Sequence, residues 1–192
     1  MSSDHIRSFI SIDLDDPQVQ SALEQVTSTL LGLGADLKPV ARENIHITIK
    51  FLGSVDKAKL DSVKNALGQV HFQRFPLEVR GTGAFPNMRH ISVVWIGLGA
   101  GWTKVEQIYE QTETQLSTLG FPRESRGFSP HVTIARVRTP RRRDELANLL
   151  QKLSEKDFGV MDVKALRLKQ SVLQPSGPKY STLYEIAAES QS

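Results

Sequence analysis

His46-Ile47-Thr48-Ile49 and His131-Val132-Thr133-Ile134 share one pattern, in which a threonine follows a histidine by two positions and aliphatic residues fill the other places. Side chains at alternate positions of a β-strand point to the same face. The histidine and the threonine of each copy are therefore expected on one face, with the aliphatic pair on the other. Helices can cover the aliphatic face, and the opposite face then presents an imidazole and a hydroxyl to solvent.

The two copies lie farther apart in the chain than the roughly 20 to 50 residues of a solenoid repeat, so they predict two similar lobes. If an approximate two-fold axis relates the lobes, both motifs line one central cleft. Strand-like alternation and helix-like spacing of apolar residues intermix along the chain, which favours an α+β fold with antiparallel sheet. We expect strands over residues 7–14, 45–50, 75–81, 91–96, 131–137, 163–173 and 180–187, helices over 17–34, 60–67, 102–119 and 146–153, a loop at 81–87 and a turn at 174–178.

The composition narrows the class of protein. The 192 residues include 24 Lys and Arg against 21 Asp and Glu, and 39% are hydrophobic, as expected for a globular domain with a buried core. The absence of cysteine excludes disulfides, a thiol nucleophile and thiolate metal sites. No apolar run approaches the roughly 20 residues that span a bilayer, and residues 1–7 are polar, so we expect a cytoplasmic protein without a membrane partner. The net charge of +3 permits an anionic partner.

Two imidazoles and two hydroxyls in one cleft are suited to acid–base cleavage at phosphorus. Imidazole titrates near neutral pH, so one ring can act as the base while the other, protonated, acts as the acid. The hydroxyls of Thr48 and Thr133 can donate to the non-bridging oxygens of a phosphate and hold the phosphorus in line. This chemistry requires no metal and no other cofactor.

Other interpretations of the same residues stay open at this point. A single strand histidine next to a threonine is often only structural, but the duplication argues against that. A zinc site is a poor match, because no third ligand lies at a suitable spacing. The run Arg141-Arg142-Arg143 is either a solvated segment or a nucleic-acid contact. A non-enzymatic RNA-binding protein could use this run with Arg136 and Arg138 as a basic rim. His5, His71 and His90 carry no motif and are expected at the surface.

Several further stretches, in the same order along the chain, carry a resemblance to the two-histidine (2H) phosphoesterase superfamily. Within it, the chain most resembles the RNA 2′,3′-cyclic phosphodiesterases, historically called 2′-5′ RNA ligases. The stretches that match, beside the two motifs and their flanks, are Arg7-Ser8-Phe9-Ile10-Ser11-Ile12-Asp13, Gly81-Thr82-Gly83-Ala84-Phe85-Pro86, Val94-Trp95-Ile96-Gly97 and the segment with Ser171, Pro175, Gly177 and Tyr180.

The resemblance implies one bilobal domain over residues 1–192, with two pseudo-symmetric antiparallel sheets backed by helices around a central cleft. It also implies metal-independent hydrolysis of a 2′,3′-cyclic phosphate at an RNA end to a 2′-phosphomonoester. Expected partners are RNA with such ends, including tRNA fragments, or cyclic nucleotides, and the expected state is a monomer. Some members of the family join or reverse 2′-5′ linkages on tRNA halves, and that remains the alternative enzymatic role.

The resemblance also assigns roles to residues. His46 and His131 would be catalytic, with His46 protonating the 3′ leaving oxygen and His131 activating water; the residues alone leave the reverse assignment open. Thr48, Thr133 and Arg136 would bind phosphate. Phe51 would stack on the terminal base. One departure from the family is that no aromatic residue occurs in Lys38-Pro39-Val40.

Strict alternation places Phe51 on the Ile47 face, so either a bulge redirects it or it belongs to the core. Arg136 is likewise out of phase with His131. We expect its long side chain to reach around the strand end.

Overall fold

The structure is a computed structural model that describes residues 4–125, 127–175 and 177–190. Ser176 of the expected turn and residues 1–3 of the polar N-terminus lie outside this range. The strands are β1 (His5–Asp13), β2 (Leu37–Pro39), β3 (His46–Asp56), β4 (Phe75–Asn87), β5 (His90–Leu98), β6 (Val132–Val137), β7 (Asp157–Val163), β8 (Ala165–Gln174) and β9 (Gly177–Ala187). The α-helices are α1 (Pro17–Gly32), α2 (Leu60–Leu67), α3 (Trp102–Ser117) and α4 (Arg143–Lys152). None of these helices is long and apolar enough to cross a bilayer.

In the described part of the chain the strands form one sheet, with the order β7-β4-β5-β6-β3-β1-β8-β9 and β2 beside β6. All strand pairs in this order are antiparallel. The order divides into two halves of four strands, β7-β4-β5-β6 and β3-β1-β8-β9, which meet where β6 pairs with β3. The expected α+β fold with two pseudo-symmetric halves is confirmed, and the two motif strands are the innermost strand of each half.

The helices connect the two halves. α1 follows β1 but packs against β6 and β7 of the other half, while α3 follows β5 but packs against β3. Asp16 caps α1 by accepting hydrogen bonds from the backbone N–H groups of Gln18 and Val19, at 2.9 and 3.0 Å. The buried residues of α1 are Val19, Leu23, Val26 and Leu30. Because α1 and α3 each pack against strands of the opposite half, the halves share a core.

The structure departs from the sequence expectations in three places. Residues 81–87 are not a loop but the second part of β4, paired with β5. Gly83 is needed there, since a Cβ at this position would lie 2.1 Å from the indole of Trp95, which crosses it. The strand expected over residues 163–173 is β8, but β7, which precedes it and belongs to the opposite half of the sheet, was not anticipated. The short strand β2 was not anticipated, because three residues are too few to show periodicity.

A buried ion pair joins β3 to α3. Lys50 and Glu113 are 8% and 1% exposed, and the Lys50 Nζ donates to Glu113 Oε1 at 2.6 Å. The same Nζ donates to the Pro122 carbonyl oxygen at 2.8 Å. Removing one member of such a pair leaves a buried charge without its counter-ion, which is strongly destabilising.

We therefore predict that Glu113→Leu lowers the free energy of unfolding by about 3–5 kcal/mol. The double variant Lys50→Met, Glu113→Leu should recover most of that loss, because no unpaired charge remains. Urea unfolding followed by circular dichroism measures both. Asp61→Asn is the control, since it breaks the exposed Asp61–Lys64 pair and should cost less than about 1 kcal/mol. A cost for Glu113→Leu as small as this control would contradict the prediction.

Candidate functional site

Both motifs lie at the junction of the two halves. β3 and β6 pair at Ile47 and Val132, both fully buried. Extension of this antiparallel register places the histidine of each motif across from the threonine of the other. The second aliphatic residue of each motif is also buried, while all four histidine and threonine side chains are partly exposed. The alternation expected from the sequence therefore holds, and the four polar side chains share one face of the sheet.

The two imidazoles have the same hydrogen bond to the backbone. Nδ1 of His46 lies 2.7 Å from the Asn44 carbonyl oxygen, and Nδ1 of His131 lies 2.7 Å from the Ser129 carbonyl oxygen. A carbonyl oxygen only accepts, so Nδ1 of each ring carries a proton. Nε2 is then the atom that exchanges protons. Nε2 of His46 lies 3.0 Å from the Thr48 Oγ1.

The environment of His46 disfavours its charged form in the free protein. Burial lowers the pKa of His46, and the positive charges of Lys169 and His131 lower it further. The hydrogen bond to the Asn44 carbonyl and the carboxylate of Asp13 act in the opposite direction, without reversing the shift. The pairing of β3 with β6 brings His131 near enough to His46 to contribute to this lowering.

Asp13 makes the two halves of the site chemically different. It is the β1 partner of His46, whereas the corresponding β5 register places Gly97 beside His131. The Asp13 carboxylate accepts hydrogen bonds from Lys169 Nζ at 2.6 Å and Ser11 Oγ at 2.9 Å. Sequence reasoning missed this cluster. Its signal was the alternation of β1, which places Ser11 and Asp13 on one face.

Aromatic rings enclose each imidazole. The centroid of the His46 ring lies 5.0 Å from that of Phe9 and 5.5 Å from that of Tyr180, the latter edge-on. The His131 ring lies 4.8 Å from Phe85, again edge-on, and 6.2 Å from Trp95. Ring contacts of this kind restrict the orientation of an imidazole. The sequence analysis quoted these four aromatic residues as family matches but gave them no role.

Matching bulges bring Phe51 and Arg136 to the histidine face. β1 pairs Ile10 with Lys50 and then Ser11 with Thr48, skipping one residue of β3. In the other half, β5 pairs Val94 with Ala135 and then Trp95 with Thr133, which skips the equivalent residue of β6. An extra residue reverses the side-chain alternation that follows it.

Phe51 is 73% exposed, and its ring centroid lies 6.3 Å from that of Phe9. Of the two alternatives for Phe51, the bulge is therefore present and the core position is wrong. The expected route of Arg136 around the strand end is also wrong, because the bulge already places it on the face of His131. Phe51 and Arg136 occupy the same position in the two halves.

Two guanidinium groups lie near Tyr180, and a lysine on the neighbouring strand lies beside one of them. Burial raises the pKa of the Tyr180 hydroxyl, and the charges of Arg136 and Arg7 oppose that rise, so both guanidinium groups lie near this ring. Lys38 is the β2 partner of Arg136 and stands where an aromatic residue was expected. Within the described ranges, none of the three basic side chains forms an ion pair. Arg7 was missed by the sequence analysis, although it alternates in phase with Phe9.

Comparison with known proteins points to one family. A family model described as LigT-like phosphoesterase matches residues 12–95 and 102–180. A protein of Aeropyrum pernix named RNA 2′,3′-cyclic phosphodiesterase is 38% identical over 168 residues, covering 88% of this chain and 96% of that protein. One of Archaeoglobus fulgidus with the same name is 38% identical over 181 residues, covering 93% and 98%.

Solved structures agree on the fold. A crystal structure of a Thermus thermophilus protein superposes with a TM-score of 0.78 at 26% identity, covering 95% of this chain and 97% of the other. Escherichia coli LigT superposes with a TM-score of 0.78 at 22% identity, covering 98% and 100%. The likeness therefore extends over 95–98% of this chain, and the family model spans both motifs.

The electrostatics of His46 yield a prediction about its titration. Because burial lowers its pKa, His46 should titrate below the ordinary value of 6.5, and His131→Gln should raise that midpoint by removing a positive neighbour. NMR of the imidazole carbons against pH measures both. The unfolded chain binds this proton at higher pH than the folded one, so the free energy of unfolding should fall as the pH drops below 6.5. A His46 midpoint at or above 6.5 in the free protein would refute the analysis.

Proposed function

Because the chain belongs to the LigT-like phosphoesterase family, we propose that it hydrolyses 2′,3′-cyclic phosphates at RNA ends to 2′-phosphomonoesters, using His46 and His131 as an acid–base pair. The observation that carries this proposal is the shared geometry of the two rings. Each has Nδ1 bound to a backbone carbonyl oxygen and Nε2 left for proton exchange, on one face of the sheet. Relatives that match over most of the chain bear the name of this activity.

The reaction requires two proton transfers on opposite sides of the phosphorus. Water attacks the phosphorus, one imidazole takes its proton, and a P–O bond forms. The bond from phosphorus to the 3′ oxygen breaks, and the other imidazole donates a proton to that oxygen. The product is a 2′-phosphomonoester with a free 3′ hydroxyl. Two rings across one strand junction fit a substrate placed between them.

We assign the acid to His46 and the base to His131, because Asp13 stabilises an imidazolium at His46 and its counterpart beside His131 is a glycine. Burial lowers the pKa of His46 and so disfavours its protonated form in the free protein. A bound cyclic phosphate adds a negative charge, which raises the pKa of the imidazole and allows it to take up the proton it later donates. The substrate thereby creates the protonation state that the reaction needs.

The remaining groups position the substrate. Thr48 and Thr133 lie on the same face as the imidazoles and can donate hydrogen bonds to the non-bridging oxygens. Arg136 adds a positive charge there, which stabilises the extra negative charge of the transition state. Phe51, exposed and in line with Phe9, offers a flat surface for the terminal base.

His46→Ala and His131→Ala should each lower kcat for 2′,3′-cyclic AMP by about 10²- to 10⁴-fold, the usual size of an acid–base contribution. The wild-type protein should retain full activity in EDTA and release the 2′ monophosphate, identified by chromatography. His71→Ala is the matched control, because His71 is exposed and pairs with Glu189 instead of lying at the strand junction. Turnover that survives both substitutions in one chain would exclude the acid–base pair. Salt-dependent RNA binding by a wild-type protein that shows no turnover would instead indicate the non-enzymatic alternative. Parallel assays with 2′-5′-linked dinucleotides and tRNA halves test 2′-5′ joining.

A substrate with sulfur in place of the bridging 3′ oxygen separates the two roles. A thiolate leaves without a proton, so loss of the acid should lower kcat only slightly with this substrate. Loss of the base should still lower kcat strongly, because water must still be activated. We predict that His46→Ala recovers most of its activity on the 3′-thio cyclic phosphate and that His131→Ala does not. The opposite pattern would assign the acid to His131.

A further inference from the structure

A cavity of about 240 Å³ lies at the end of β6, beside the start of α4. Its lining includes four arginines and a histidine from three separate segments. Arg89 lies in the turn between β4 and β5, and His90 is the first residue of β5. Arg138 follows β6, Arg141 precedes α4 and Arg143 is its first residue. The arginine run noted in the sequence therefore forms part of a larger basic cluster, completed by residues far away in the chain.

The charges of this cluster are only partly compensated. Arg143 donates to the Asp144 carboxylate, and Arg142, which does not line the cavity, donates to Glu145. Within residues 4–125, 127–175 and 177–190, Arg89, Arg138 and Arg141 form no ion pair. Three uncompensated guanidinium groups around one cavity repel each other, and a bound anion relieves that repulsion. The planar donors of guanidinium match the oxygens of a phosphate.

The cavity is connected to the histidine face along one strand. After the bulge in β6, Arg136 lies on the same side as Thr133, and Arg138 follows two positions later, at the bend where β6 ends. At about 3.3 Å per residue, Thr133 and Arg138 are roughly 16 Å apart. A stacked nucleic-acid strand advances about 3.4 Å per nucleotide, so this distance corresponds to about five nucleotides or fewer.

We propose that this cavity binds a backbone phosphate of the same RNA strand whose cyclic end lies between His46 and His131. The preferred substrate is then an RNA oligonucleotide end and not a cyclic mononucleotide. This inference rests on the proposed function. It adds a second anchoring site, several nucleotides upstream of the bond that is cleaved, and assigns it to Arg89, Arg138 and Arg141.

The test compares kcat/KM for 2′,3′-cyclic AMP with kcat/KM for oligonucleotides of two to eight residues ending in a 2′,3′-cyclic phosphate. For the wild-type protein we expect kcat/KM to rise with length by at least about tenfold and to level off near five nucleotides. In the double variant Arg138→Gln, Arg141→Gln, the ratio of kcat/KM for the hexanucleotide to kcat/KM for 2′,3′-cyclic AMP should fall about tenfold. Most of this fall should come from a higher KM for the hexanucleotide. The variant's salt dependence for the hexanucleotide should weaken by about 0.7 in logarithmic slope per lost phosphate contact.

Arg142→Gln is the matched control. It removes the same charge from the adjacent residue, but Arg142 already pairs with Glu145 and lies outside the cavity lining. The Arg142→Gln variant should keep the wild-type ratio of kcat/KM for the hexanucleotide to kcat/KM for 2′,3′-cyclic AMP. Two results would overturn this inference while leaving the proposed function intact. One is turnover with a kcat/KM that does not depend on the length of the oligonucleotide. The other is an equal loss of kcat/KM for the hexanucleotide in the control and in the double variant. Absence of turnover on all substrates would instead reject the proposed function.

Discussion

The antiparallel contact between Ile47 and Val132 is the interaction on which the rest of the site depends. Both side chains are fully buried, so the strands that carry them cannot rotate without exposing apolar surface. Burying the aliphatic residues of each motif fixes the histidine and threonine on the other face. One strand pairing thus joins the two halves of the fold and brings together the two imidazoles.

The bulges extend this arrangement in a way that the two halves share. Each motif strand has one extra residue after the threonine, and each then returns a side chain to the histidine face. The same kind of bulge places an aromatic ring, Phe51, on this face in one half and a guanidinium group, Arg136, in the other. Pseudo-symmetry of the backbone therefore coexists with different chemistry in the two halves.

The same contrast applies to the surroundings of the histidines. Both rings are held through Nδ1 by a backbone carbonyl, but the carboxylate of Asp13 lies beside His46 and Gly97 occupies the equivalent position near His131. Two imidazoles in identical surroundings would have similar affinities for a proton. The Asp13 carboxylate favours the protonated form of His46 against the effect of burial, and no such group stands at the equivalent position near His131.

Much of this protein follows from local sequence. Period-two alternation predicted the strands that carry both motifs and the face of each histidine and threonine, because the geometry of a strand is set by the backbone itself. The helix-like spacing of apolar residues likewise predicted α1. Only the tertiary structure decided the position of Phe51 and Arg136, since a bulge depends on how the neighbouring strand pairs. It also decided the exchange of α1 and α3 between halves, the place of Asp13 beside His46, and the meeting of Arg89 with Arg138 and Arg141. These depend on contacts between segments distant in the chain, and a pattern of neighbouring residues carries no information about them.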